Sequence, residues 1–221
     1  MNFGVNMDYA LPLVGIQRPN NGPELTTGIL KDLGEALSQE MGYNPRWILL
    51  PKKRVAPSLA SGNVQILCHL NEVWQPAIKD EVWWSQEIYR STNLIVYTTA
   101  KPIRSLADLN GERVGTVLNF VYQNLDSSFA KKTILREDGP NNESNIRKLL
   151  NGRLDYVAMS NLEFNYYKKI YPSLKETDLG MDNVMTKCAV SKKSKLSIDQ
   201  VNRALSSLKK NGTIEKILRS Y

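Results

Sequence analysis

The chain has 221 residues, 42% of them apolar and 23% charged, an ordinary globular composition that excludes an intrinsically disordered chain. No apolar run approaches the roughly 20 residues that cross a bilayer. With a single histidine, His69, and no Cys/His cluster, no transition-metal site and no other cofactor is expected. The net charge of +7 invites a nucleic-acid partner, but the basic residues are scattered. The densest groups, Lys192-Lys193-Ser194-Lys195 and Lys209-Lys210, lack interleaved aromatics, so a solvated basic face is expected and no nucleic acid.

Strand and helix signals alternate from the start, which predicts an α/β fold. Residues 3–6 read as a strand, and Tyr9 to Asn21 as a loop punctuated by Pro12, Pro19 and Asn20-Asn21-Gly22. A helix is expected from about Gly28, with Ile29, Leu33, Leu37 and Met41 on one stripe. Arg46–Leu50 is a strand, and a helix carrying Val55, Ala56, Leu59 and Ala60 stops at Gly62, a position suited to left-handed backbone. Val64–Leu70 is an apolar run of the kind buried on both faces of a sheet.

The pattern restarts after a strand at Asn93–Thr98. Ser105-Leu-Ala-Asp108 is a capping box closed by Gly111. Strands are expected at 113–118, 133–135 and 154–159, and helices at 120–131 and 144–151. Two helices close the chain, the first capped by Ser197-Ile-Asp-Gln200 and the second starting at Thr213. Leu59–Asn71 can be laid on Leu149–Asn161 without a gap, each being helix end, glycine, strand and asparagine. As a duplication this means two similar lobes with a ligand beyond the carboxyl ends of the strands; helix-Gly-strand is also common in any α/β protein. Cys68 and Cys188 lie in apolar segments and form no CxxC, and buried thiols are favoured over a disulfide.

Several landmarks now resemble one family. They are Gly28-Ile-Leu-Lys-Asp32, Leu50-Pro-Lys-Lys-Arg54, Trp84-Ser85-Gln-Glu-Ile-Tyr89, Ser105-Leu-Ala-Asp108-Leu-Asn-Gly111, Leu149-Leu-Asn-Gly152-Arg153-Leu-Asp155 and Lys210-Asn-Gly212-Thr213-Ile214. In this order they resemble the extracellular solute-binding proteins of the polar amino-acid type (family 3). The resemblance implies a two-lobed periplasmic-binding-protein-like (type II) fold, with two mixed sheets flanked by helices and joined by two hinge strands near Tyr97–Lys101 and Thr186–Val190. Lobe 1 would comprise 1–97 and 189–221, with lobe 2, residues 98–188, inserted. It also implies a monomer that closes on a small polar solute, without catalysis, and hands it to a membrane permease. It implies a periplasmic location as well; Met1–Asn6 has neither a basic nor an apolar leader region, so an exported protein is expected to have lost its leader. Two other readings share the scaffold: a dehydratase of the cyclohexadienyl type and the sensing module of a receptor.

The resemblance thins where the family grips an α-carboxylate. Glu72–Ile78 contains no arginine, Leu118–Tyr122 is bulkier than the usual small-residue helix start, and Gln65 replaces an aspartate. The expected ligand-binding residues are Tyr9, Arg54, His69, Glu72 and Trp74 in the first lobe's sequence, and Asn119, Phe120, Tyr122, Arg136, Ser160 and Asn161 in the second's. Arg54 and Arg136 are candidate anion clamps, Glu72 an ammonium ligand and Trp74 an apolar wall. Asn119 reads equally well as an N-cap, His69 as a satisfied core histidine, and Arg54 and Arg136 as surface charges. Of Trp83 and Trp84, one belongs in the core and the other at the cleft mouth.

Overall fold

The structure, a computed structural model, describes residues 1–20, 22–181 and 183–221. Asn21, in the expected Asn20-Asn21-Gly22 turn, lies outside the described residues. The elements run β1 (Asn2–Asn6), β2 (Gly15–Gln17), β3 (Glu24–Thr27), α1 (Ile29–Glu40), β4 (Arg46–Leu50), α2 (Lys52–Ser61), β5 (Ile66–Leu70), β6 (Val82–Trp84) and β7 (Arg90–Tyr97). They continue β8 (Arg113–Val117), α3 (Gln123–Ala130), β9 (Leu135–Gly139), α4 (Asn142–Leu150), β10 (Tyr156–Ser160), α5 (Asn161–Ile170), β11 (Lys175–Glu176), β12 (Asn183–Met185), β13 (Lys187–Ser191), α6 (Ile198–Lys210) and α7 (Thr213–Arg219).

The chain divides into two compact units, Met1–Met7 with Pro12–Arg90 and Met185–Tyr221, and Asp8–Leu11 with Ser91–Val184. These divisions precede the expected hinge segments, because β7 pairs with β10 and β11 along its length and so belongs to the second unit's sheet. In the first unit the sheet order is β4-β1-β5-β13-β6, with β1 parallel to β4 and β5, and β13 antiparallel to β5 and β6. In the second it is β9-β8-β10-β7-β11, with β8 parallel to β9 and β10, and β7 antiparallel to β10 and β11. The parallel parts match, β4-β1-β5 against β9-β8-β10, each continued by an antiparallel strand, while the second sheet has a sixth strand, β12, paired with β7. Gly62 and Gly152, at the matching helix ends, both take left-handed φ, 82° and 64°.

Burial explains the strand signals. β5 is buried at every position, as is β10, whose Tyr156 and Ala158 join one core and Val157 and Met159 another. α1 buries Ile29, Leu33 and Leu37 and packs against α6 and α7. Gly28 ahead of it has φ 120°, and a Cβ there would sit 2.5 Å from the Leu13 carbonyl oxygen. Its N–H donates to the Tyr221 hydroxyl, which donates in turn to Asp32. Gly28→Ala is therefore expected to cost about 2–4 kcal/mol in urea unfolding, combining a forbidden backbone angle with a clash against main chain.

The structure corrects several expectations. Cys68 and Cys188 form a disulfide rather than two thiols. They sit on adjacent antiparallel strands, β5 and β13, at a register shift between Lys187 and Ala189. The strand expected at 133–135 begins at Leu135 instead; β9 is a polar edge strand, Leu-Arg-Glu-Asp-Gly, held by its ladder to β8 rather than by an apolar run. α4 starts two residues early, capped by the Asn141 side chain on Ser144 N–H. α3 starts at Gln123, not at 120, because Asn119 turns left-handed (φ 65°). Asn119 is thus not the N-cap. Ser197 occupies the N-cap of α6 without a side-chain bond, and Gln200 donates instead to the Met41 carbonyl. The helix α5 was not expected at all, although Ser160-x-x-Glu163 forms its capping box.

Candidate functional site

The parallel strands of each unit end on one edge of its sheet, the place where open α/β sheets hold ligands. In the first unit these ends are Asn6, Leu50 and Leu70. Arg54 follows β4 on the first turn of α2, exposed, and its guanidinium makes no ion pair or hydrogen bond among the described residues. Lys52 and Lys53 precede it, and no acidic residue occupies that turn.

His69 lies in β5 one residue before its end, and Glu72 and Trp74 follow it. His69 sits at φ 59°, beside the disulfide and the register shift, and is 3% exposed. Its Nδ1 lies 2.9 Å from the Tyr89 hydroxyl, its ring stacks on Tyr89 at 5.7 Å, and the half-buried Trp74 ring lies 5.8 Å away. Burial, with Lys52 nearby, lowers the His69 pKa to about 3, so the imidazole stays neutral at physiological pH. The His69–Trp74–Tyr89 cluster is an aromatic wall; the imidazole is also the satisfied core histidine. Glu72 is half-buried and accepts from Lys187 Nζ at 2.7 Å. Its carboxylate already has a cation. Neither Tyr89 nor Lys187 was singled out for the site, although Tyr89 closes the Trp84–Tyr89 motif.

In the second unit the loop after β8 carries Asn119, Phe120 and Tyr122. Asn119 is exposed, and Phe120 packs edge-on against Tyr9 at 5.3 Å. Tyr122 is buried; its hydroxyl accepts from Val117 N–H at 2.9 Å, and burial raises its pKa. Arg136 braces this loop. It donates to the Val117 and Phe120 carbonyls at 3.0 and 3.1 Å and to Asp138 at 2.9 Å, with its guanidinium over the Tyr122 ring at 5.5 Å. Arg136→Ala is expected to destabilise the chain by about 2–3 kcal/mol in urea unfolding. Arg136→Lys should recover little, because one ammonium cannot span both carbonyls and the carboxylate.

At the end of β10, Ser160 donates its hydroxyl to Glu163 and accepts from the Glu163 N–H. Glu163 is buried, and its Oε2 also accepts from Ser160 N–H and Asn142 Nδ2. Burial pushes its pKa up against the pull of these bonds. Asn161 accepts from Thr92 N–H at 3.0 Å, leaving its Nδ2 donors uncommitted among the described residues. A separate cavity of about 600 Å³ lies at the opposite, amino ends of β8 and β10, lined by Lys101, Arg104, Asp108, Glu112, Asp155 and Tyr156. None of the expected ligand-binding residues lines it.

Residues 4–221 match the bacterial extracellular solute-binding proteins, family 3. The chain is 23% identical over 194 residues to the arginine-binding extracellular protein ArtP of Bacillus subtilis, covering 86% of this chain and 75% of that one. A probable amino-acid-binding protein of the same organism, YxeM, is 24% identical over 199 residues, covering 88% and 75%. Among solved structures, an ancestral arginine-binding protein bound to arginine superposes with a TM-score of 0.80 at 23% identity, covering 100% of this chain and 96% of that one. The ancestral amino acid-binding protein AncCDT-1, a precursor of cyclohexadienyl dehydratase, also reaches 0.80, at 22% identity and 100% and 94% coverage. This likeness shows the fold: two α/β lobes of the type II periplasmic-binding-protein kind.

Proposed function

Because the chain belongs to family 3 of the bacterial extracellular solute-binding proteins, we propose that it captures a small polar solute of the amino-acid class, unaltered, for delivery to an ABC-type permease. The observation that carries this reading is the family match across residues 4–221. The chemistry at the strand ends refines it. Arg54 is a cation without an ion-pair partner among the described residues and suits a ligand carboxylate; Trp74 supplies an apolar wall, and Asn161 two amide donors. Tyr9, Asn119 and Phe120 are proposed contacts on the second unit, while Tyr122, Arg136 and Ser160 act by shaping the loop and strand end that present them. We place the protein in the periplasm, acting as a monomer.

The carboxylates that would hold a ligand's ammonium or guanidinium are already engaged, Glu72 by Lys187 and Glu163 by Asn142 and Ser160. That favours a plain zwitterion over an amino acid with a second cationic group, such as arginine. It also counts against a dehydratase with Glu72 as its general acid, since that carboxylate is held by Lys187 rather than open to a substrate. A melting scan with the common L-amino acids tests the reading. One of them at about 100 times its Kd is expected to stabilise the chain by roughly 2.7 kcal/mol, or about 5–10 °C. Arg54→Ala should weaken binding of that amino acid at least tenfold. No shift with any amino acid would overturn the proposal.

A further inference from the structure

The net charge is not spread over the molecule. Residues 185–221 carry nine Lys and Arg against two Asp and Glu, a net of +7, while the other 184 residues hold twenty of each. The whole excess therefore sits on β13, α6, α7 and the turns between them, all within the first unit. Among the described residues, only Lys187 and Arg219 of these nine enter ion pairs. Lys192, Lys193, Lys195, Arg203, Lys209 and Lys210 are exposed.

Two of these cations, Lys192 and Lys209, reach one stretch of chain. Lys192 Nζ donates to the Asp80 carbonyl and lies 4.4 Å from the centre of the Trp83 ring. Three residues on, Gln86 bonds to Asn202 and Ser206 of α6, and Lys209 donates to the Glu87 carbonyl. The 192–195 turn and the outer side of α6 thus flank residues 80–87 as one surface. Trp83 stands in it 50% exposed, on the edge strand β6, while its neighbour Trp84 packs into the core and donates to the Lys79 carbonyl. Asp80, Glu81, Glu87 and Asp199 lie along the same border and temper the field.

We propose that this surface docks the protein on a bilayer containing anionic lipid. Seven of the nine cations are lysines, compact and strongly hydrated point charges, a type depleted from protein–protein interfaces, where arginine is favoured. A diffuse lysine field beside an exposed tryptophan matches the headgroup region, with its negative surface potential and its preference for amphipathic rings. The occupant is therefore lipid rather than an acidic protein.

The test is cosedimentation of the full chain with phosphatidylcholine vesicles, with and without about one-third phosphatidylglycerol. The chain is expected to partition onto the anionic vesicles at low salt and to release at about 0.5 M salt, where exposed charges are screened. K192A/K193A/K195A should lower partitioning on the order of 100-fold while leaving melting temperature and amino-acid binding unchanged. Brominated lipid should quench fluorescence in the parent and markedly less in W83F. Equal retention on both vesicles, no retention on the anionic ones at low salt, or undiminished partitioning of the triple variant would overturn the proposal. Retention solely by vesicles bearing a reconstituted permease would overturn it in favour of a protein partner.

Discussion

A C68A/C188A variant is expected to lose about 4–5 kcal/mol of stability and to melt about 10–20 °C lower than the parent under oxidising conditions. The bridge joins positions 120 residues apart. In the chain-entropy account, closing a loop of that length removes roughly 4.7 kcal/mol of freedom from the unfolded chain. For a chain of this size each kcal/mol moves the midpoint by about 2–4 °C. The sulfurs are also well shielded: Cys188 is fully buried and Cys68 nearly so, so reductant should act on the native protein mainly through unfolding. Parallel urea titrations of parent and variant check the claim. A loss below about 1 kcal/mol would mean that the β5–β13 ladder alone determines the unit's stability.

Acid should unfold the protein chiefly through His69. Its folded pKa of about 3 lies well below the ordinary 6.5, because the ring is buried and Lys52 is near. Between those values the unfolded chain binds more protons than the folded one, so stability rises with pH and is lost as pH falls. At about 1.4 kcal/mol per pH unit the full loss from pH 6.5 to about 3 is roughly 5 kcal/mol, more than half of it spent by pH 4.5. Glu163 works in the opposite sense. Its raised pKa makes the folded state bind the extra proton, so its contribution grows as pH falls toward the ordinary carboxylate value. His69→Asn separates the two. Asparagine tolerates the left-handed φ of 59° and does not titrate, so the variant should be weaker at pH 7 for want of the Tyr89 contact yet lose no stability between pH 6.5 and 4.5, where Glu163 acts in the opposite sense. An unchanged slope in that variant would locate the acid sensitivity elsewhere.

Periodicity and punctuation were legible in the residues wherever one element settles its own shape. The stripe of α1, the left-handed glycines at 62 and 152, and the fully buried β5 and β10 are local facts, and the two segments of the Leu59–Leu149 repeat each end in the third strand of a parallel trio, β4-β1-β5 and β9-β8-β10. What could not be read depends on partners distant in sequence. Cys68 and Cys188 pair because β5 and β13 are neighbours, which no local pattern encodes. β9 carries almost no apolar signal because it is an edge strand. Arg136 reads as a free anion clamp until the Val117 and Phe120 carbonyls are placed beside it. Glu163 is a different case. Ser160-x-x-Glu163 is a visible capping box, but β10 ends at Ser160 and α5 begins at Asn161, so no loop signal separates strand from helix.

The central claim is capture of an amino-acid-class solute without turnover, and calorimetric titration with recovery of the ligand tests it most directly. The predicted result is one amino acid bound at one per chain, weakened at least tenfold by Arg54→Ala, and recovered chemically unchanged by NMR after prolonged incubation. No heat with any amino acid, or conversion of the bound compound, would contradict it.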